Sequence, residues 1–184
     1  EFVHVYSVNA DFLKRILKHS FQYGVEGTFN TVHSNANKEN INTGVISSQS
    51  TRYPDGGSTM ATAAAYLSHS WNIKQNLILS EGIRYSFTQL DATFKDKSFY
   101  SFLPDALQQR NQALNGQIGL VYLPGHDWKL STSISSGFRA PNVDDVGKIF
   151  DSQSGLTAII PNSTLKPENI YTAEVGISKV FAKK

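Results

Sequence analysis

The sequence predicts an all-β chain of about seven antiparallel strands, built to meet lipid on one face and water on the other. Three observations carry that expectation. Apolar and polar residues alternate with a period of two over segments of about ten residues, the connections alternate between short and long, and aromatic residues gather toward both ends of the segments.

Composition narrows the field first. A hydrophobic content of 40% and an aromatic content of 11% belong to a chain that folds, not to a disordered tail. The formal charge of +2, with no Lys/Arg block, excludes nucleic acid as a partner. Without cysteine there is no disulfide framework, thiolate zinc site or cysteine nucleophile. No apolar run approaches the roughly 20 residues of a spanning helix, and the opening EFVHVYSVNADF has no signal-peptide pattern. Barrel strands cross lipid with about ten alternating residues each and leave no such run.

The elements follow in order. Phe2, His4, Tyr6, Val8, Ala10 and Phe12 alternate with Val3, Val5, Ser7, Asn9 and Asp11. After LKRILK, the odd positions His19, Phe21, Tyr23, Val25, Gly27 and Phe29 oppose Ser20, Gln22, Gly24, Glu26, Thr28 and Asn30, which completes a hairpin. A polar stretch from Ser34 to Ser58, with the turn residues Pro54-Asp55-Gly56, reads as a long loop. A second hairpin turns at NIKQN and returns with Leu77, Leu79, Ile83, Tyr85 and Phe87 on one face, where Glu81 is out of place. Either a bulge or a register slip of one residue is expected there. A second loop is expected from about Gln89 to Gln112, then a third hairpin through PGHD, a third loop from Arg139 to about Glu168, and a last strand around Tyr171 to Ile177.

Strands of roughly 9 to 13 residues are longer than the five or six usual in a soluble sandwich, and they match an outer-membrane barrel with short periplasmic turns and long extracellular loops. Phe12, Phe21, Trp71, Tyr122 and Trp128 mark one interface, and Phe29, Tyr85, Phe87, Phe138 and Tyr171 the other. The opposite face is small and polar, with Glu26, Arg84, Lys129, Arg139 and Glu174 expected in the lumen. Single-chain bacterial barrels have an even strand number, and bare strand edges are costly in lipid. Residues 1–184 are therefore expected to be a partial barrel, incomplete at both ends. Periodicity alone leaves a second architecture open, a soluble or surface-exposed β-rich binding or adhesion module.

Two stretches carry a resemblance. STSISSGFRAPNVDDVGKIFDS followed by PNSTLKPENIYTAEVGI resembles the later barrel region of TonB-dependent outer-membrane receptors, and LILSEGIRYSFTQLDATF looks like the strand and loop that precede it. The family motif would be Phe138, Arg139, Ala140 and Pro141 with Asn162, Leu165, Lys166, Pro167 and Glu168. The resemblance implies a 22-stranded barrel in outer-membrane lipid, closed by a plug domain and energised by the TonB complex. It also implies a scarce nutrient as ligand, such as an iron-siderophore, haem, cobalamin or glycan, and no enzymatic activity. Neither plug nor TonB box lies within these residues. In haem receptors of this kind a histidine sits between the two boxes, whereas here no histidine lies between Asn142 and Pro161, and Asn162-Ser163-Thr164-Leu165 lacks the second box's proline.

Ligand-binding residues concentrate on loops held by a rigid scaffold. Arg52, Tyr53, Lys95, Tyr100, Arg110, Asp144 and Asp145 are the candidates on that ground. Asp144, Asp145 and Asp151 match no cation-binding loop, the five histidines have no metal-ligand spacing, and Ser135-Ser136-Gly137 is no nucleophile elbow. No catalytic residue, metal site or resident cofactor is expected.

Overall fold

The computed structural model describes residues 1–148, 150–152, 157–159 and 161–181, the side chains of 150–152 and 157–159 excepted. The side chain of Asp151 thus lies outside the described residues. Seven strands form one antiparallel sheet: β1 (Phe2–Ile16), β2 (His19–His33), β5 (Ser58–Lys74), β6 (Leu77–Thr93), β7 (Ala106–Gly125), β8 (Trp128–Arg139) and β11 (Glu168–Lys179), paired in that order. Two small hairpins decorate the loops, β3 (Asn37–Glu39) with β4 (Ile46–Ser48), and β9 (Phe150–Ser152) with β10 (Thr157–Ile159). One short helix, α1 (Val143–Val146), opens the third loop. No helix among the described residues is long and apolar enough to cross a membrane.

The register runs without interruption from Phe2↔His33 through Val25↔Ala65, Ala65↔Tyr85 and Tyr85↔Leu114. Every residue of the expected apolar face therefore falls on one side of the sheet. That side is bare: Val8 is 71% exposed, Leu114 67% and Val175 83%. Such exposure across a whole face is inside out for a protein in water and ordinary for one whose solvent on that side is hydrocarbon.

The opposite face is polar, and many of its side chains pair with one another. Arg84 Nη2 donates to Glu26 Oε2 at 2.6 Å, Tyr66 donates to Asp11, Thr28 and Thr62 share a hydrogen bond, and Ser133 reaches Glu174. Gly24 is required here. A Cβ at that position would stand 2.5 Å from Ala10 O, 2.7 Å from Asp11 Oδ1 and 3.0 Å from the Tyr66 ring, which lies over it from the neighbouring strand. An aromatic ring covering a strand glycine restores the contact that the missing side chain forfeits.

Two expectations need correction. β8 and β11, at 12 residues each, are of the expected length, but the other main strands run to between 15 and 20 residues, and the second loop shrinks to residues 94–105. Arg110, expected on that loop, stands within β7 on the outward face, opposite Gln89. The cause is a change of polarity along the same strands. Toward the long loops the outward positions become Gln89, Asp91, Gln108 and Arg110, while the inward ones become Leu90, Ala92 and Leu107, each at most 3% exposed. Alternation persists there but its phase reverses, because water replaces lipid outside and packed loops replace the lumen inside. The second correction concerns Glu81. Among the described pairs the register breaks only near Asn72/Lys74 and Tyr122/Gly125, so neither a bulge nor a slip lies at Glu81. It stays on the outward face and is met by His69 Nδ1 at 3.2 Å.

Replacing Gly24 by valine inserts two methyl groups and a Cβ where the backbone of β1 already stands. The expected outcome is a loss of about 1–3 kcal/mol, the usual cost of overpacking. Denaturant unfolding of the full-length barrel measures it, and an unchanged midpoint would contradict this account of the β1–β2 contact.

Candidate ligand-binding site

The principal buried apolar cluster among the described residues lies not in the middle of the sheet but at its long-loop end. Leu90, Ala92 and Leu107 from the strands meet Phe94, Leu103 and Val146 from the loops, with Met60, Tyr100 and Val143 packed against them. Burial of these side chains folds the loops over the inner face, and the hydrogen bonds then fix how they sit.

The third loop is tied down most firmly. Asn142 caps α1, its Oδ1 accepting from the backbone N–H groups of Asp144 and Asp145, while Asp145 Oδ2 accepts from the Asn142 N–H in return. This is a reciprocal capping box closed by an aspartate. Arg139 Nη2 reaches both oxygens of Asp145 at 2.9 and 2.8 Å, and its Nη1 donates to Glu168 at 3.1 Å. One guanidinium thus joins the start of the loop, its helix and its return. At the far side Asn162 N–H bonds to Val146 O at 3.0 Å, Asn162 Oδ1 accepts from Thr164, and Gln109 Nε2 donates to the carbonyls of Ser163 and Leu165. The paired motif is a clasp: Arg139 and Glu168 close its base, and Asn162 to Leu165 strap its far end to β7. Pro141, which has no N–H, follows the last ladder residue of β8, and Lys166-Pro167 leads back into β11.

Arg52, Tyr53 and Asp144 also meet. Asp144 Oδ1 accepts from Tyr53 Oη at 3.0 Å and from Arg52 Nη2 at 3.2 Å, so the first and third loops are clamped together. The Tyr53 hydrogen bond, aided by Arg52 and Lys148, holds the Asp144 carboxyl below its ordinary pKa, and burial with the Asp144 bond pushes the Tyr53 phenol up. Asp55 of the first loop accepts from the backbone N–H groups of Lys95 and Asp96 in the second at 2.8 Å each, and within the second loop Lys97 pairs with Asp105.

Between the first two loops opens a cleft of about 240 Å³. Ser34, Asn35, Asn37 and Gln49 supply hydroxyl and amide groups to its wall, and Phe99 and Tyr100 supply aromatic surface. That arrangement suits hydrogen bonding to a polar ligand that also presents a flat or apolar edge. No cluster of metal-ligating side chains occurs among the described residues.

Of the sequence candidates, only Tyr100 lines this cleft. Arg52 and Tyr53 bind Asp144, Asp145 binds Arg139 at the end of β8, Lys95 contributes its backbone N–H to a loop bond, and Arg110 is on a strand. Sequence reasoning missed Gln109, 7% exposed and central to the strap, although the inward series Gln117, Asn115, Ala113 and Asn111 continues to it in steps of two.

A seven-stranded sheet with an apolar outer face, a polar inner face, short turns at one end and packed loops at the other is part of the wall of an outer-membrane β-barrel. The chain belongs to the family of TonB dependent receptor-like, beta-barrel domains, matching it over residues 3–183. Barrels of that family are receptors and transporters of the Gram-negative outer membrane, not enzymes. The reading as a soluble adhesion module falls with that assignment. Among solved structures, the sheet is similar to the copper transporter OprC, with a TM-score of 0.76 at 12% identity over 98% of this chain and 28% of that one. It is also similar to the FrpB iron transporter of Neisseria meningitidis (TM-score 0.63, 14% identity, 97% and 26% coverage). A third similar structure is the ferric yersiniabactin uptake receptor FyuA of Yersinia pestis (0.58, 18%, 98% and 26%). The chain thus spans about a quarter of the length of these proteins, and at such identities the likeness is one of fold.

Two outcomes are expected from the clasp and the clamp. Arg139→Ala leaves the barrel's unfolding midpoint nearly unchanged while the segment around α1 becomes sensitive to protease, since the guanidinium joins loop to strand but takes no part in the ladder. The Arg52–Tyr53–Asp144 clamp depends on pH with a definite sign. A depressed carboxyl pKa contributes docking above the free value of about 4 and loses it as pH falls through the folded value. A raised phenol pKa contributes below about 10 and loses it as pH rises through the folded value. Protection of the amides of Asp145 to Gly147 from hydrogen exchange, taken relative to the intrinsic rate at each pH, should be greatest between these limits and fall on either side.

Proposed function

We propose that this chain is a segment of a larger barrel, incomplete at both ends, in a receptor that takes a scarce nutrient across the outer membrane. The observation that carries the reading is the family match over nearly the whole chain, joined to loops that enclose a polar cleft at the end opposite the short turns. The edges of β1 and β11 support it. Among the described residues neither has a second partner strand, and unpaired N–H and C=O groups in lipid cost several kcal/mol each.

The inner face supports a plug as the partner within the barrel. Gln22, Glu26, Arg84, Asn115 and Gln117 line an open groove on that side, which offers a plug domain polar groups to hydrogen-bond. Energy coupling through TonB would enter by way of that plug. The nutrient is of the iron-siderophore, metal, haem, cobalamin or glycan kind. The lack of histidine between Asn142 and Pro161 favours the members of that set other than haem.

Deletion of the full-length gene, followed by growth with each nutrient class as the limiting source, tests the reading. One class is expected to support growth only when the gene and TonB are both present. Ala36→Trp, which places an indole in the cleft wall, is expected to abolish that growth while the barrel still assembles. Equal growth of the deletion strain on every class would sink the proposal.

A further inference from the structure

The outward face carries one polar structure that uptake does not explain. Near the short turns of β1–β2 and β5–β6, Glu81 Oε2 lies 3.2 Å from His69 Nδ1, and His69 Nε2 lies 2.9 Å from His19 Nδ1. Aromatic rings flank this chain, with Phe21 stacked 4.6 Å from the His69 ring and Trp71 stacked 5.3 Å from the His19 ring. A lone carboxylate on a lipid-facing surface is unfavourable, so it is best met by polar groups of the chain. His69 meets Glu81, His19 meets His69 in turn, and the relay ends, beside the turn, at the remaining ring nitrogen of His19.

The charge around the His19 ring is one-sided. Lys14, Arg15, Lys18, Lys74, Lys129 and Lys179 stand at the short-turn rim against the carboxylate of Asp127, among the described residues. Pairing divides them between the faces. Lys14 sits opposite Phe21, Lys74 opposite Leu77 and Lys179 opposite Trp128 on the outward side, while Arg15 sits opposite Ser20 on the inward side. The Lys179 ammonium lies 4.9 Å from the centre of the Trp128 ring, which places cation and indole at one level. Lysines on a lipid-facing rim extend their ammonium groups toward phosphates, and tryptophan favours that same depth.

We propose that the outward rim of the β1–β2 and β5–β6 turns binds the phosphate of an inner-leaflet phospholipid. Lys14, Lys18 and Lys74 supply the charge, and Trp71 the interfacial surface. His19 supplies a directional hydrogen-bonding group, held in place by His69 and Glu81. The occupant follows from charge complementarity at the height where a bilayer presents phosphate, and it is independent of which nutrient the receptor takes.

The test uses the full-length receptor, purified in detergent, stripped of lipid and titrated with phosphatidylglycerol under native mass spectrometry. Lys14→Gln and Lys74→Gln should each weaken binding about five-fold, the effect expected of one basic residue at a membrane surface. His19→Gln should weaken it comparably. Arg15→Gln, next to Lys14 but on the inner face, should bind like the wild type. Heat-modifiable migration on gels confirms that each variant is a folded barrel. Equal binding by the wild type and the outward variants, or an equal loss in Arg15→Gln, would overturn the site. Competition by an equal concentration of inorganic phosphate would overturn its assignment to lipid.

Discussion

The constraint on which everything else depends is that a backbone in hydrocarbon must find all its hydrogen-bond partners in other backbone. The antiparallel ladder meets it, and its register from β1 to β11, shifted among the described pairs only beside two short turns, is what aligns the apolar residues on one face. A shift of one residue in any strand would send a row of Ser, Gln and Glu into lipid and a row of Val, Leu and Ile into the lumen. Side-chain polarity therefore holds the register as firmly as the turns do.

With the central apolar residues given over to lipid, the chain builds its compact core elsewhere. Leu90, Ala92, Phe94, Leu103, Leu107 and Val146 cluster at the loop end, where both solvents are aqueous and burial regains its usual driving force. The loops are thus small folded structures. Charged groups that would otherwise be solvated, Arg52 with Asp144 and Arg139 with Asp145 and Glu168, orient them. The cleft lies between the first and second loops, which Asp55 joins through the backbone N–H groups of Lys95 and Asp96.

Glu81 shows how the same constraint handles an exception. The strand keeps its register and leaves the carboxylate facing outward, where His69 of the adjacent strand meets it and His19, one strand further, backs His69, through the fixed pairing Phe21↔His69↔Glu81 and His19↔Trp71. Solvating one side chain with others disturbs the sheet less than a bulge, which would break ladder bonds in a medium unable to replace them.

The sequence by itself determined the seven strands, their lipid and lumen faces, the short and long connections and the membership in a receptor family, because a strand between lipid and water writes its environment into every second residue. It could not place the boundary of the second loop. Above the bilayer the alternation reverses phase between Phe87 and Leu90, and a reversed pattern of Gln, Asp and Arg looks like coil until Leu107 is seen packed beneath it. Nor could it separate residues that bind one another from those free to bind a ligand. Arg52 and Asp144 are far apart in the chain and become partners only when the core at Val146 draws their loops together. Only the tertiary structure decided that, since polar partnership among loops depends on distance in space, which a period of two does not encode.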